Sequence, residues 1–278
     1  MAARSGRVPG ALSARSVIAS TLLGTVPPRL PGRLLVAFTA EFGIRPGATR
    51  TALSRMVDRG ELRHLDGGRY ELAGDLLARH DRQEAGLHPV TLAWDGTWEM
   101  HVVPPGSRSS SDRAALRRAA DHLGLWERRD GVWMRPANLD PGRLPNARAI
   151  VDTQAESYRA SPVGDPAALL ESLYDLPGWA RRAADLVAEL DETGAELAVP
   201  ERLADGFVLA AAALRHLVTD PLLPAELEPE GWPALTLRRT YADYLVDYQR
   251  GLGGFFRGQA DAEGPVPRVG GPGPTMTP

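Results

Sequence analysis

Pro46-Gly-Ala-Thr-Arg-Thr-Ala-Leu-Ser-Arg-Met-Val-Asp-Arg-Gly60 runs directly into Glu61-Leu-Arg-His-Leu-Asp-Gly-Gly-Arg-Tyr-Glu-Leu72. At 100° per residue, Thr49, Leu53, Met56 and Val57 fall on one side, which is the i, i+3, i+4 stripe of a helix packed on a core. Thr51, Ser54, Arg55 and Asp58 point the other way, with Arg50 and Arg59 on the flanks. Gly60 supplies the stop. The next segment alternates up to Asp66-Gly67-Gly68, a turn signal between two short strands. The stretch therefore predicts a helix followed by a basic-tipped hairpin.

That order is the layout of a winged helix-turn-helix. A helix fits the major groove of B-DNA and carries donors that read base edges, while a protruding hairpin reaches the neighbouring backbone or minor groove. The same residues also fit an ordinary amphipathic helix with a solvated Arg face. Upstream, residues 12–23 form an amphipathic helix closed by Gly24, and Pro27-Pro28 enforce an extended connection. Pro31 to Phe42 forms a second helix with Leu34, Leu35 and Phe38 as its apolar stripe. Three helices and a hairpin make one small domain.

The chain has 278 residues, enough for two or three modest domains, with 43% hydrophobic and 24% charged residues. Cys is absent, which removes disulfides, thiolate metal sites and Cys nucleophiles. Every basic residue is Arg, so there is no P-loop Lys, Schiff-base Lys or Ser-x-x-Lys pair. The net charge of -3 hides a division. Residues 1–90 carry 13 Arg against 8 Asp and Glu, and the remainder 19 against 27. A basic head on an acidic body suits a protein that presents one end to phosphates. No run approaches the ~18 apolar residues of a membrane helix. Ser16 to Gly24 is short and interrupted for a signal peptide, and reads as a first domain helix of a cytoplasmic protein.

A charged connector helix from Gly74 to about Gly86 leads to a boundary at Leu87-His-Pro89. Beyond it the composition changes, since all six Trp lie after residue 93. Trp98 to Val103 reads as a strand, Asp112 caps a helix to about His122, and 125–128 with 132–135 form a hairpin over Arg129-Asp-Gly131. A short helix within 138–146 and a strand at Ala149-Ile-Val-Asp152 complete a β-α-β-β-α-β order, the ferredoxin-like arrangement. After Pro162 to Pro166 the chain turns helical: from Asp165 or Pro166 to Tyr174, Gly178 to about Glu192, Pro200 to Val218, and Thr236 to about Phe256. Between the last two, Leu222, Leu223, Leu227 and Trp232 are anchors along a Pro-fixed path. The fold class is thus multidomain α+β: a winged helix-turn-helix with its connector over 1–88, a ferredoxin-like domain over 89–161, an all-helical domain over 162–258, and a disordered Gly- and Pro-rich tail over 259–278.

Thr49-Arg-Thr-Ala-Leu-Ser-Arg55 with Gly60, Trp94-Asp-Gly-Thr-Trp98, Gly131-Val-Trp-Met-Arg-Pro-Ala-Asn-Leu139, Tyr174-Asp-Leu176 with Trp179, and Asp220-Pro-Leu-Leu-Pro-Ala-Glu-Leu227 with Trp232 occur in this order. In these residues the chain resembles the PaaX family of bacterial transcription regulators, from about Ser13 to about Gly253. The resemblance implies a winged-helix head, a Cas2-like middle domain, a helical C-terminal domain, and a homodimer on palindromic double-stranded DNA. It also implies release of the DNA by a small effector, an aryl acyl-CoA in the best-known members. Glu61 departs from the pattern, standing where members often carry Trp.

With the resemblance added, Arg50, Thr51, Ser54, Arg55 and Arg59 are the candidates for DNA contact, followed by His64 and Arg69 on the wing. Arg50 is off the outermost line and suits a phosphate contact or an internal brace. Arg55 is outermost, and Arg is the commonest bidentate reader of guanine. Trp133 and Arg135 share a sheet face and are candidates for an effector's aromatic wall and anion donor, or for a packed Trp beside an Arg edge. No cofactor or metal is expected. A Cas2-like nuclease needs an Asp at the end of its first strand, and that strand ends here in Val102-Val103-Pro104. The scattered His residues and the lack of a Gly-x-Ser-x-Gly elbow signal no hydrolase. The expectation is a ligand-responsive regulator, a repressor before an activator; a ligand-independent architectural DNA-binding protein is the alternative.

Overall fold

The computed structural model describes residues 12–25, 27–106, 108–194 and 203–260. They form ten α-helices and two antiparallel sheets, an α+β architecture. Residues within 1–80, 193–211 and 244–278 make one compact unit, and those within 81–192 and 212–243 make a second.

The first unit begins with α1 (Ala14–Leu23), whose Ser13 cap accepts a hydrogen bond from the Ser16 N–H at 3.1 Å. Then come β1 (Arg29–Pro31), α2 (Gly32–Ala40), α3 (Pro46–Asp58), β2 (Leu62–Leu65) and β3 (Arg69–Leu72). The strands are ordered β1-β3-β2. β1 has no counterpart among the sequence expectations, because three residues between prolines carry no readable alternation. Val17, Ile18, Leu22, Leu34, Leu35, Phe38, Leu53 and Met56 are buried, as the helical spacings predict.

The same unit contains the start of α9 (Leu203–Val218) and the end of α10 (Ala234–Ala260). All five Phe of the chain meet here. Phe38 on α2 makes edge contacts with Phe42, Phe207, Phe255 and Phe256 at centroid distances of 5.4 to 6.1 Å. The helices expected as a separate domain over 162–258 thus contribute to both units. Of the tail expected over 259–278, Gln259 and Ala260 continue α10, and 261–278 lies outside the described residues.

In the second unit, which takes up the end of α4 (Gly74–Leu87), the order is β4 (Trp98–Val102), α5 (Ser110–His122), β5 (Trp126–Arg129), β6 (Val132–Pro136), α6 (Pro145–Gln154) and β7 (Glu156–Ala160). The sheet runs β5-β6-β4-β7, antiparallel throughout. Alternation divides its two faces. Trp98 and Met134 pack with Leu170 and Leu173 near α7 (Pro166–Glu171), Leu176 at the start of α8 (Leu176–Gly194), and the anchors Leu223 and Leu227. On the other face Trp133 packs with Leu116, Ala120 and Leu123 of the α5 region and Ala147 and Val151 of α6.

Two sequence expectations need correction. Ala149 to Asp152 is not a strand but the middle of α6, which starts on Pro145 and buries Ala147 and Val151 at i, i+4 spacing. The closing strand is β7, whose Glu-Ser-Tyr-Arg run is exposed along its length and so shows no apolar alternation. At α5 the cap is Ser109, not Asp112. Ser109 Oγ accepts from the Asp112 N–H at 3.0 Å and donates to Asp112 Oδ2 at 2.6 Å.

Candidate nucleic-acid interface

Helix α3 presents two unlike faces. Thr49, Leu53 and Met56 are at most 2% exposed, Val57 is half-buried, and Arg50, Thr51, Ser54, Arg55 and Arg59 are exposed. Pro46 occupies its first turn, where a missing N–H costs nothing. Its inner face is fixed on α2 by a buried hydroxyl pair, Thr39 Oγ1 and Thr49 Oγ1, 2.7 Å apart. Because Thr39 donates its proton to Val36 O at 3.0 Å, Thr49 is the donor in that pair.

Gly60, with φ of +69°, turns the chain out of α3, and its neighbour Glu61 donates its N–H to Met56 O at 2.9 Å. The Glu61 carboxylate accepts from Arg15 Nε at 2.8 Å and Arg15 Nη2 at 3.0 Å. A bidentate ion pair thus ties α1 to the turn behind α3. The hydrogen bonds that Arg15 donates to Glu61 raise its pKa, outweighing the opposing effect of burial.

On the outer side the guanidiniums of Arg50, Arg55 and Arg59 have no ion-pair partner among the described residues. Thr51 donates its hydroxyl to Gly47 O at 3.0 Å, which leaves its oxygen lone pairs facing solvent. Arg55 on the outer line, with Arg50 and Arg59 on the flanks, gives the exposed side of the helix free cations that phosphates and guanine edges attract.

The hairpin separates its two expected contact residues. Register pairs His64 with Tyr70, and Leu65 with Arg69. His64 therefore shares a face with Tyr70, Leu62 and Leu72, its ring tilted by 53° against the Tyr70 ring at a centroid distance of 5.0 Å. Arg69 lies on the opposite face, in the company of Arg63, Glu71 and, through β1, Arg29. Arg63 is bonded to Glu71 at 2.5 Å, and Arg69 Nε donates to Asp66 O at 3.4 Å. Arg63 is not among the sequence candidates; its neighbour His64 is, and strand alternation puts the two on opposite faces. Arg29 had no such signal, since its strand was not legible.

Trp133 and Arg135 do share a sheet face, opposite His101 and Glu99 respectively. Trp133 is packed into the helical core, 8% exposed. Arg135 is 1% exposed and donates to Leu123 O at 2.7 Å, Pro136 O at 3.1 Å, and Pro221 O and Leu222 O, each at 3.1 Å. These carbonyls draw its guanidinium into the fold. Among the described residues no group of three or more His, Asp or Glu is placed to hold a metal ion, and no helix is long and apolar enough to cross a membrane.

A helix with exposed, unpaired guanidiniums followed by a hairpin suits a DNA-binding protein, and the family match places the chain among transcription regulators in general. Residues 13–76 match the family model described as PaaX-like protein. The uncharacterized protein Rv0674 from Mycobacterium tuberculosis has a solved structure with a TM-score of 0.67 and 38% sequence identity, over 88% of this chain and 99% of that one. The chain belongs to the PaaX-like family. No curated protein matches it.

Proposed function

We propose that this protein is a ligand-responsive transcriptional repressor that binds a palindromic operator as a homodimer. The observation that carries the DNA-binding part is the exposed face of α3, where Arg50, Arg55 and Arg59 stand without counter-charges among the described residues. In this reading α1–α3 with β1–β3 are a winged helix-turn-helix and the hairpin is its wing. The sheet order β5-β6-β4-β7 with α5 and α6 on one face supports a ferredoxin-like second unit. Arg55 reads a base edge, Arg50 and Arg59 hold phosphates, and Arg69 with Arg63 and Arg29 adds backbone contacts from the wing. A small effector, of the aryl acyl-CoA class that the resemblance implies, releases DNA by changing the spacing or orientation of the two heads. Those heads must match half-sites about one helical turn apart.

The test is selection of fragments from the source genome on the purified full-length chain, followed by footprinting of what is retained. The expected result is an enriched inverted repeat with half-sites ~10 base pairs apart, centre to centre, or a multiple of that. Retention without sequence preference would contradict the repressor reading. A retained site that no acyl-CoA or free acid releases would contradict the ligand-responsive part alone.

A further inference from the structure

A cavity of about 230 Å3 lies within the second unit, where the C-terminal end of α5, the first residue of β5 and the segment after α9 come together. Trp126, Leu139, Pro221 and Leu222 form its apolar wall, and His122 lines it beside them. The Trp126 side chain is 45% exposed, so a large part of an aromatic surface is open to an occupant. Its ring meets that of Tyr174, tilted by 54°, at a centroid distance of 5.0 Å, and the Tyr174 hydroxyl donates to Gly124 O at 2.7 Å. The aromatic wall is thereby held in place.

The charged residues of the lining cancel, since Arg135 and Arg143 stand against Asp121 and Asp220. Three of these four are engaged within the fold: Arg135 by the carbonyls of Leu123, Pro136, Pro221 and Leu222, Arg143 by Ala85 O at 2.6 Å, and Asp220 by the Arg238 guanidinium at 2.7 Å. His122 is half-buried and makes no hydrogen bond among the described residues, yet neither of its ring nitrogens is sealed from solvent. Burial, with the charges of Arg82 and Arg118, pushes its imidazole down to about 4. At neutral pH it is uncharged and offers one donor and one acceptor. Burial also raises the Asp121 carboxyl and lowers the Arg143 guanidinium to about 10. Each shift marks surroundings that disfavour charge. An uncharged molecule with one hydrogen-bonding group meets these conditions; a carboxylate or phosphate does not.

The rim is pre-shaped. Leu222 has φ of +50°, a conformation that residues with a side chain rarely adopt. Its N–H donates to Asp220 Oδ1 at 3.0 Å, and its carbonyl accepts from Arg135 Nη2 at 3.1 Å and Asn138 Nδ2 at 3.0 Å. Backbone strain held in this way gathers at ligand clamps. Volume sets the size of the occupant. Benzene occupies an apolar cavity of ~150 Å3, so about 230 Å3 suits one or two rings rather than a nucleotide-sized molecule.

We propose that this cavity binds an uncharged aromatic molecule of one or two rings, its ring laid against Trp126 and its hydroxyl or N–H group bonded to His122. This ligand differs in class from an acyl-CoA effector, and its binding stands on the second unit alone.

The experiment is calorimetric titration of the full-length chain with phenol and indole, beside cyclohexanol as the saturated match and benzoate as the charged one. NMR of the Trp126 indole N–H, assigned by its absence in Trp126→Phe, follows the same titrations in the unaltered protein. Phenol or indole should bind saturably, shift that resonance, and bind about five-fold or more tighter than cyclohexanol and benzoate, because ring contacts are lost in the one and a charge is desolvated in the other. Trp126→Ala and His122→Phe should each weaken binding by about five-fold or more while keeping a cooperative melt. Should a variant lose its melt, the shift of the Trp126 resonance in the unaltered chain decides. The proposal is overturned if neither phenol nor indole binds saturably, if cyclohexanol or benzoate binds as well as they do, or if binding leaves the Trp126 resonance or either folded variant unaffected. DNA retention measured on the same preparations separates the readings. Retained DNA without phenol or indole binding removes this site only, and such binding without DNA retention removes the regulator reading only.

Discussion

Arg55 is where the DNA-binding account is most exposed to test at the scale of single residues. It is solvent-exposed on α3 and pairs with no carboxylate among the described residues, so its removal should cost the fold little. If it reads a guanine, Arg55→Ala costs ~1–3 kcal/mol of operator affinity and relaxes specificity at one position. If it only holds a phosphate, all sequences weaken alike and the slope of log K against log salt falls by ~0.9. Anisotropy titrations against single-base operator variants tell the two apart. Glu99 gives a second residue-level expectation. Its carboxyl is held down to about 2 from an ordinary 4.5, so the ionised form stabilises the fold above pH 4.5 and that contribution is lost as pH falls toward 2. The gap corresponds to about 3 kcal/mol as an upper estimate. Denaturant melts between pH 7 and pH 2 should show Glu99→Gln losing stability at neutral pH and having a flatter acid limb than the parent chain. An unchanged acid limb would mean that Glu99 is not the group responsible.

At the scale of elements, the orientation of α3 depends on small groups behind it. Thr49→Val leaves the Thr39 oxygen without its donor in a fully buried place and should cost ~1 kcal/mol, with the double Thr39→Val, Thr49→Val variant less destabilised than the two single losses summed. A double-mutant cycle by urea melts measures that coupling. Gly74, where α4 begins, has φ of +52°, and a Cβ there would lie 2.7 Å from Gly60 O, so Gly74→Ala should destabilise by well over ~1 kcal/mol. A cost within experimental error would show that this junction is not constrained. These elements were legible to different degrees. The helix and hairpin from Pro46 to Leu72 could be read because their apolar positions repeat at 3.6 and 2 and because Gly60 and Asp66-Gly67-Gly68 punctuate them. β1 is too short to show a period. Ile150-Val151 looked like a strand because β-branched residues favour strands, yet packing of Ala147 and Val151 against α5 decided for helix. β7 pairs with β4 along its length, but its side chains are exposed and sequence alone gives no sign of it. On the candidate interface, residue types were readable while faces were not: only register shows that His64 and Arg69 point to opposite sides, and that Arg29 joins Arg63.

The whole molecule divides its labour unevenly along the chain. The basic surplus lies in residues 1–90, yet the unit that holds 1–80 of them is completed by parts of α9 and α10, whose Phe207, Phe255 and Phe256 surround Phe38. Contacts so distant in sequence leave no mark on local periodicity, which is why the division into units could not be read from composition shifts. They carry a consequence: a chain ending at Asp243 removes two rings from this cluster, and Phe38→Ala removes its centre at a cost of ~3–5 kcal/mol. Both should lose DNA binding together with the cooperative melt, although neither touches α3's outer face. DNA binding retained by the shortened chain would show that residues 12–80 need no support from the C-terminal helices.

The central claim is that the outer face of α3 binds DNA by sequence. Its most direct test is an anisotropy titration of labelled DNA from upstream of the protein's own gene and of a scrambled copy, at two salt concentrations, with the parent chain and Arg55→Ala. The account predicts tighter binding to the upstream DNA, weakening with salt, and a selective loss of that preference in the variant. Equal binding of both DNAs by both proteins, with the genomic selection also yielding no preferred site, would contradict it.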